Sequence, residues 1–573
     1  MKITKIRIKK FRSVEGATIR ASEVSAIVGE NNSGKSAVLR ALNSFFHFHE
    51  EEDAFRLGQH QYAPRTHARI EIEFSGVEGL ADLDDYSDGD YLTIRLTYNH
   101  SSNTRSLHAL QEGRYNPCDL SVLDVIKCHL DFVLIPSVRD AEKLRWQEAA
   151  VLKAVVVAYL ERHFKSRDSV TPRFKEATAS IERNALAKVA KELRGLVGIS
   201  AGLGFEIGFS DGLTYKDFLD GIRFNVVEGA AKFDVSDCGT GVQSLVIIAL
   251  YRLLASLRDC SLMVGVEEPE INLHPQAQRQ LFSALKRATG TKMQLLFTTH
   301  SPVLVDQVSH EDLILVRKVE EAKRGFKTVV NQISDSFFED HGLQEERYYN
   351  FHSQRNSDFL FSRFVVMCEG SIDAAIVRQL LEQNSVDLEL QGVTVLNMNS
   401  VDNLRYPLHL LDSLAIPRLL IVDKDCFVPY RKDSLDASRS ARGFPYYGFD
   451  YKDHRLVQDL VPRSQDRDRL LGLLRTNHSR AMDLLEPYKI ICMRYSLEMD
   501  LIESDTARRM LFERFGVPEA KRVPEELLVK RKKQIKKLEN ISYVVRALPH
   551  KNLPNSYKRV KRVIGRMVNE YCR

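Results

Sequence analysis

No apolar run in this chain reaches the ~18 residues needed to span a bilayer. The richest one, SLVIIALYRLLASL, is interrupted by Arg252, which argues against a membrane partner. Cysteine is scarce too: 8 in 573 residues, placed singly and with no CxxC pair. That spacing fits neither a disulfide framework nor a zinc ribbon and suits buried thiols in a reducing compartment. The opening MKITKIRIKKFRSVEG alternates Lys/Arg with Ile, as an amphipathic strand does and a signal peptide does not. A cytoplasmic protein is expected. At this length one core is too few, and three or so domains are the sensible prior.

Charge is near balance overall, at +5, but unevenly spread. Residues 507–573 carry 19 Lys/Arg against 6 Asp/Glu, including KRKKQIKK at 530–537. Two readings stand side by side: a solvated helix face, or a surface that neutralises phosphates without reading sequence.

The strongest local signal is VSAIVGENNSGKSAVLRAL, an apolar run, a glycine turn and a helical pattern. Gly29 to Ser36 matches GxxxxGK[ST] in full, a string expected by chance about 0.02 times in such a chain. Gly29, Asn31, Asn32, Ser33 and Gly34 would wrap backbone N–H groups around phosphates at a helix N-terminus. Lys35 would reach the terminal phosphates of ATP, and Ser36 would ligate Mg²⁺. Far downstream, SLMVGVEEPEINLHP reads as an apolar strand ending in carboxylates. Glu267 stands where P-loop ATPases usually carry Asp, and Glu268 is suited to polarise the attacking water. SDCGTGVQSLVIIAL sets Gly239, Gly241 and Gln243 before an apolar helix, and LLFTTHSP ends a strand in His300, placed to sense a γ-phosphate. Pro136 to Arg139, after another apolar strand, is a further candidate neighbour of the nucleotide. For the glutamine loop, Gln59 and Gln61 are the candidates.

Between these segments, residues 140–197 turn helical, with apolar residues at three- and four-residue spacing. A short dimerisation insert and a plain helical layer over the sheet both fit.

A second α/β unit begins near Phe361. FSRFVVMCEGSIDAAIVRQLL places Glu369 at a strand end and Asp373 in the first turn of a helix; IPRLLIVDKDCF ends in Asp423 and Asp425. In a small parallel sheet such strand ends meet at one edge. Carboxylates so close raise one another's pKa, and an oxygen-rich set of this kind suits Mg²⁺ or Mn²⁺.

In the order P-loop, glycine signature, EE strand and strand-end His, the first half resembles the ABC-type ATPase heads of the SMC/RecF/OLD group. The Phe11-Arg12-Ser13 segment is similar as well. The set EGxxD…DxD resembles the Toprim domain, and an ABC-type head followed by Toprim is the arrangement of the OLD (overcoming lysogenization defect) nucleases, over nearly the whole chain. The resemblance implies ATP bound between two subunits, with Gly239 and Gly241 of one closing over the P-loop of the other. It also implies a third acidic cluster, Glu498 and Asp500 with Glu503 as a spare, and Lys551 beside His550 as the cation for a developing phosphate charge. The expected architecture is α/β: an ABC-type head in two halves (1–140 and 206–340), a helical insert (141–205), and a Toprim domain with a helical, basic C-terminal part (341–573).

The function expected from these parts is a two-metal DNA endonuclease governed by ATP, at least a homodimer. The resemblance implies phage defence, beside a helicase or a reverse transcriptase with its nucleic acid. Two rivals stay open. One is an ATP-dependent DNA-binding or repair protein of RecF/SMC type with an inactive Toprim part. The other is topoisomerase-like strand transfer, which would need a tyrosine nucleophile. A primase would normally bring a zinc module, and no Cys/His set supplies one.

Overall fold

In the computed structural model, the Ile/Lys alternation of the N-terminus forms strand β1 (Lys2–Phe11). A bulge between Ile3 and Lys5 lets Ile3, Ile6 and Ile8 all turn inward, each fully buried,. Residues 1–137, 141–162, 164–181, 183–184, 225–228, 231–234, 240–271, 273–289, 292–321, 325–344, 351, 357–383, 387–429, 440, 442–448 and 454–572 are described. They fall into two units, Met1–Val330 and Asn331–Arg573. Among the described residues, no helix is long and apolar enough to cross a membrane.

In the first unit β1 pairs antiparallel with β2 (Val14–Arg20). β3 (Val24–Val28) is nearly wholly buried and leads into helix α1 (Lys35–Phe46) and α2 (Phe48–Arg56). β4 (Ala68–Ser75), β5 (Tyr91–Asn99), β6 (Thr104–Gln111) and β7 (Arg114–Cys118) continue from β1 as an antiparallel meander. β8 (Leu130–Ile135) precedes α3 (Ala141–Arg162) and α4 (Phe164–Ile181). β9 (Asn225–Glu228) and β10 (Ala231–Asp234) form a separate ladder before α5 (Thr240–Arg258). β11 (Ser261–Glu267), β12 (Met293–Thr299), β13 (Leu313–Glu321) and β14 (Gly325–Asn331) complete a 12-stranded mixed sheet. Its order is β7-β6-β5-β4-β1-β2-β14-β13-β3-β12-β11-β8. The stretch β13-β3-β12-β11-β8 is parallel, so the ends of β3, β8, β11 and β12 gather at one edge,.

Of the expected helical insert, α3 packs Val151 and Val155 against Leu250 of α5. Residues 185–205, the remainder of that insert, lie outside the described residues.

A buried ion cluster braces α1 against α2. Glu51 accepts from Arg40 Nη1 at 2.9 Å and Asn43 Nδ2 at 3.0 Å, and lies 2.9 Å from His60 Nε2. Burial pushes its carboxyl up, but these three partners outweigh it and bring the pKa down to about 2. A depressed carboxyl contributes stability above its unfolded value of 4.5 and loses it as pH falls towards 2,. The upper bound is about 3 kcal/mol. Glu51→Gln is therefore expected to lower the melting temperature by several degrees at pH 7 and to flatten the acid limb. A pH series of melting curves checks both.

The second unit is built on a four-stranded parallel sheet in the order β16-β15-β17-β18. β15 (Phe364–Cys368), buried throughout, feeds helix α6 (Ser371–Glu382). β16 (Val393–Asn397), β17 (Arg418–Val422) and β18 (Ile490–Cys492) follow. Helices α7 (His478–Leu485), α8 (Leu497–Leu501), α9 (Leu538–Ala547) and α10 (Asn555–Tyr571) pack around it. α10 is amphipathic, burying Tyr557, Val560, Ile564 and Met567 while Arg562 and Arg566 face outward; Lys561 is buried with the apolar face,.

Candidate functional site

Two sites form, one in each unit. In the first, the β3–α1 turn is shaped by close approach. A Cβ at Gly29 would sit 2.0 Å from the Val316 carbonyl of β13. At Gly34, whose φ is +107°, it would sit 2.3 Å from Thr328 Oγ1 of β14. Only glycine fits either place. The Thr328 hydroxyl lies 2.7 Å from both Ser13 Oγ and the Ser33 carbonyl, tying the loop to β14 and to the segment after β1. Asn31 and Asn32 are exposed, Asn32 at φ +59°; Ser33 is buried and Ser36 exposed in the first turn of α1. Lys35 Nζ donates to the carbonyls of Gly29 (3.1 Å) and Glu30 (2.9 Å). Burial lowers its pKa to about 8, against the pull of Glu268, Glu270 and Glu30.

The carboxylates arrive on β11. Glu267 is buried and accepts from the Ser137 backbone N–H at 3.3 Å. Of the candidate stretch from Pro136, Ser137 thus reaches the site, while Val138 and Arg139 lie outside the described residues. Glu268 adopts φ +44°, its N–H donating to the Thr298 carbonyl at 3.1 Å, and its carboxylate lies 3.3 Å from His300 Nε2. Burial and Lys35 press the His300 pKa down while Glu268 raises it; the net direction is down, favouring the neutral ring.

Sequence reasoning missed Glu270. It accepts from Thr299 Oγ1 at 2.6 Å and from the His300 N–H at 2.7 Å, fixing the turn that carries the histidine. It also passed over Arg12 as a site residue, whose charge is felt together with Arg40, Glu51 and Glu267. Gln243 is buried on α5 with Gly241 two residues earlier in the first turn; Gly239 lies outside the described residues. Gln59 is exposed, and Gln61 bridges its backbone to Phe11.

In the second unit β15 and β17 are neighbours, so their carboxyl ends bring Glu369, Asp423 and Asp425 together. Ligand-type atoms of the three lie within 4.8 Å of one another. Glu369 Oε1 accepts from the Asp423 N–H at 2.8 Å, and Asp423 Oδ1 from the Leu497 N–H at 3.2 Å. Asp373 caps its own helix by accepting from the Gly370 N–H at 3.1 Å. Burial, then the neighbouring carboxylates, raise these groups: Glu369 to about 8, Asp373 to about 6, Asp423 well above its ordinary value. Asp425 Oδ1 is buried without a hydrogen-bond partner. A carboxylate set held this close, with one oxygen left unsatisfied, fits a divalent cation.

Glu498 joins this group and Asp500 does not. Glu498 is felt by Glu369, Asp373, Asp423 and Asp425 alike. Asp500 is fully buried and turns both oxygens to the backbone N–H groups of Arg494 and Tyr495, each at 2.8 Å. That is a loop clamp, not a ligand geometry. Glu503, the spare, pairs with Arg494 at 2.9 Å. Lys551 is exposed, with its carbonyl accepting from Lys558. The cation paired with the cluster is Lys536, its Nζ 2.9 Å from Glu498 Oε1, out of the run that read equally well as a solvated face.

Known proteins match both halves. The family model described as "AAA domain, putative AbiEii toxin, Type IV TA system" covers residues 24–306, hence the P-loop, Glu267, Glu268 and His300. "Overcoming lysogenization defect protein-like, TOPRIM domain" covers 360–425, hence Glu369, Asp373, Asp423 and Asp425. An OLD nuclease of Thermus scotoductus is 25% identical over 448 residues, 74% of this chain and 82% of that protein. Endonuclease GajA of Bacillus cereus is 23% identical over 460 residues, 74% of this chain and 75% of that protein. Among solved structures, an SMC head domain from Thermotoga maritima is similar at 17% identity. It covers 58% of this chain and 100% of that one, at a TM-score of 0.32.

Proposed function

We propose that this chain, which belongs to the OLD (overcoming lysogenization defect) family, is a divalent-metal-dependent DNA endonuclease governed by ATP. The observation that carries the reading is the half-buried meeting of Glu369, Asp423 and Asp425 at the carboxyl edge of a parallel sheet. A divalent cation would relieve that concentration of negative charge and turn its remaining positive charge towards a polyanionic substrate. Mg²⁺ or Mn²⁺ held by these residues, with Asp373 and Glu498 beside them, would supply Lewis-acid stabilisation of a phosphate and an acidified water. Lys536, restrained by Glu498, is the side chain placed to offset charge near the scissile phosphate; Lys551 is the second candidate.

In the first unit Lys35 and Ser36 would serve the phosphates and Mg²⁺ of ATP. Glu268 would orient water, with His300 held neutral beside it by burial and Lys35. Gly239, Gly241 and Gln243 would meet the nucleotide of a second copy, making the working form a homodimer or larger. The boundaries 1–140, 141–205, 206–340 and 341–573 belong to this reading, as does a cytoplasmic site of action in phage defence beside a helicase or reverse transcriptase.

The test is cleavage of supercoiled plasmid with Mg²⁺ or Mn²⁺, with and without ATP. Nicking or linearisation is expected, with loss of all product in EDTA. A product covalently attached to protein would point to strand transfer instead. Binding without cleavage under every metal and nucleotide condition would leave an ATP-dependent DNA-binding protein.

A further inference from the structure

The second unit holds a cavity of about 810 Å³ that the metal cluster does not use. Three independent features converge on it. The first is charge: Arg494, Lys558, Arg559, Lys561 and Arg562 line it, against Glu503 as the lining carboxylate. Some of that charge is partnered, since Arg559 pairs with Asp483 and Glu486, and Arg494 with Glu503. Lys558 instead donates to the Lys551 carbonyl at 2.9 Å, which leaves its charge in place. Arg562 reaches Glu486 only at 3.4 Å, with 66% of its side chain exposed.

The second feature is backbone polarity. Asn477 and His478 begin α7, and Asn555 and Ser556 begin α10, so two helix N-termini face one space. Each adds partial positive charge and N–H donors suited to an anion. The third is Ser556 itself. It is more than nine-tenths buried, and its hydroxyl, though close enough to Asp500 to offset part of the rise that burial gives that carboxyl, has no partner in full hydrogen-bonding geometry.

Position decides which anion. Leu497, whose N–H binds Asp423, gives its carbonyl to the Tyr557 hydroxyl at 2.8 Å, and Tyr557 follows Ser556 on α10. The cavity is therefore linked to the metal cluster through the Leu497 backbone and the Tyr557 side chain. A nucleic-acid strand with its scissile phosphate at the cluster carries further phosphates a few ångströms along in each direction. We propose that this cavity seats backbone phosphates of the DNA strand beside the cut, and so sets where the strand enters the cluster. The inference rests on the nuclease reading above.

The test measures DNA affinity apart from cleavage. Full-length protein in EDTA is titrated onto a labelled duplex across a series of KCl concentrations. Lys558→Gln with Arg562→Gln is expected to weaken binding about tenfold at low salt and to reduce the salt slope by about 2. Lys558→Arg with Arg562→Lys is expected to keep both values, and matching melting curves exclude misfolding. Plasmid cleavage by the unaltered protein, run in parallel, reports separately on the nuclease. If it cuts while the Gln pair binds with unchanged affinity and slope, the seat is wrong and the nuclease stands. If the unaltered protein neither cuts nor binds DNA, both fall. Inorganic phosphate that raises the melting temperature of unaltered protein but not of the Gln pair, with DNA affinity equal in both, would assign the cavity to a small anion and overturn the proposal.

Discussion

Asp423→Asn is expected to abolish metal-dependent cleavage, by at least about a thousandfold, while leaving the metal-free protein as stable as the original or more so. The two halves of this result have one cause. Asp423 sits half-buried amid Glu369, Asp373, Glu498 and Asp425, and loss of solvent followed by their charges drives its pKa well up. Without a cation the cluster strains the fold, since half-buried like charges oppose one another and are short of solvent. Asn keeps the oxygen that accepts from Leu497 N–H and removes one charge. It loses a ligand in the same step. Thermal melting in EDTA and in Mn²⁺ separates the effects. The unaltered protein should gain several degrees from Mn²⁺, and the variant little, while melting at or above the unaltered protein in EDTA. A variant that melts far lower in EDTA would make Asp423 a structural residue.

That cluster also marks how far the sequence could be read. Glu369, Asp373, Asp423 and Asp425 were legible because each sits within a few residues of the end of one strand, where period and position along the chain suffice,. The same holds for Gly29 to Ser36. Glu498 and Asp500 could not be separated, because residues two apart on a helix point different ways and nothing local says which way faces the metal. Only packing turns Asp500 onto the amides of Arg494 and Tyr495. Lys551 stood out by its Pro-bounded loop, whereas Lys536 was hidden among five other basic residues in KRKKQIKK. Its pairing with Glu498 is a tertiary fact. So is Thr328, which reaches the P-loop from 295 residues away, and so is Glu270, whose partners lie at and just past the end of β12.

Lys35→Ala and Glu268→Gln are expected to stop ATP turnover for opposite reasons, and the contrast reads the sign of control over cleavage. Lys35 holds its ammonium on the carbonyls of Gly29 and Glu30, within the loop whose N–H groups would take the phosphates. Removing it takes away the charge that offsets the terminal phosphates, so ATP affinity should fall about a hundredfold or more. Glu268 touches His300 with its carboxylate and the Thr298 carbonyl at the end of β12 with its N–H. Glu268→Gln keeps the size and an acceptor but cannot act as a base, so ATP should bind normally and persist. Nucleotide binding by calorimetry and phosphate release establish that pair of states first. Plasmid cleavage in ATP then decides. If bound ATP licenses the nuclease, Glu268→Gln cuts steadily and Lys35→Ala is silent. If bound ATP restrains it, Lys35→Ala cuts without regard to ATP, and Glu268→Gln is shut off for as long as the nucleotide remains. Equal cleavage by both variants, with and without ATP, would mean that the nucleotide site does not govern the acidic cluster at all.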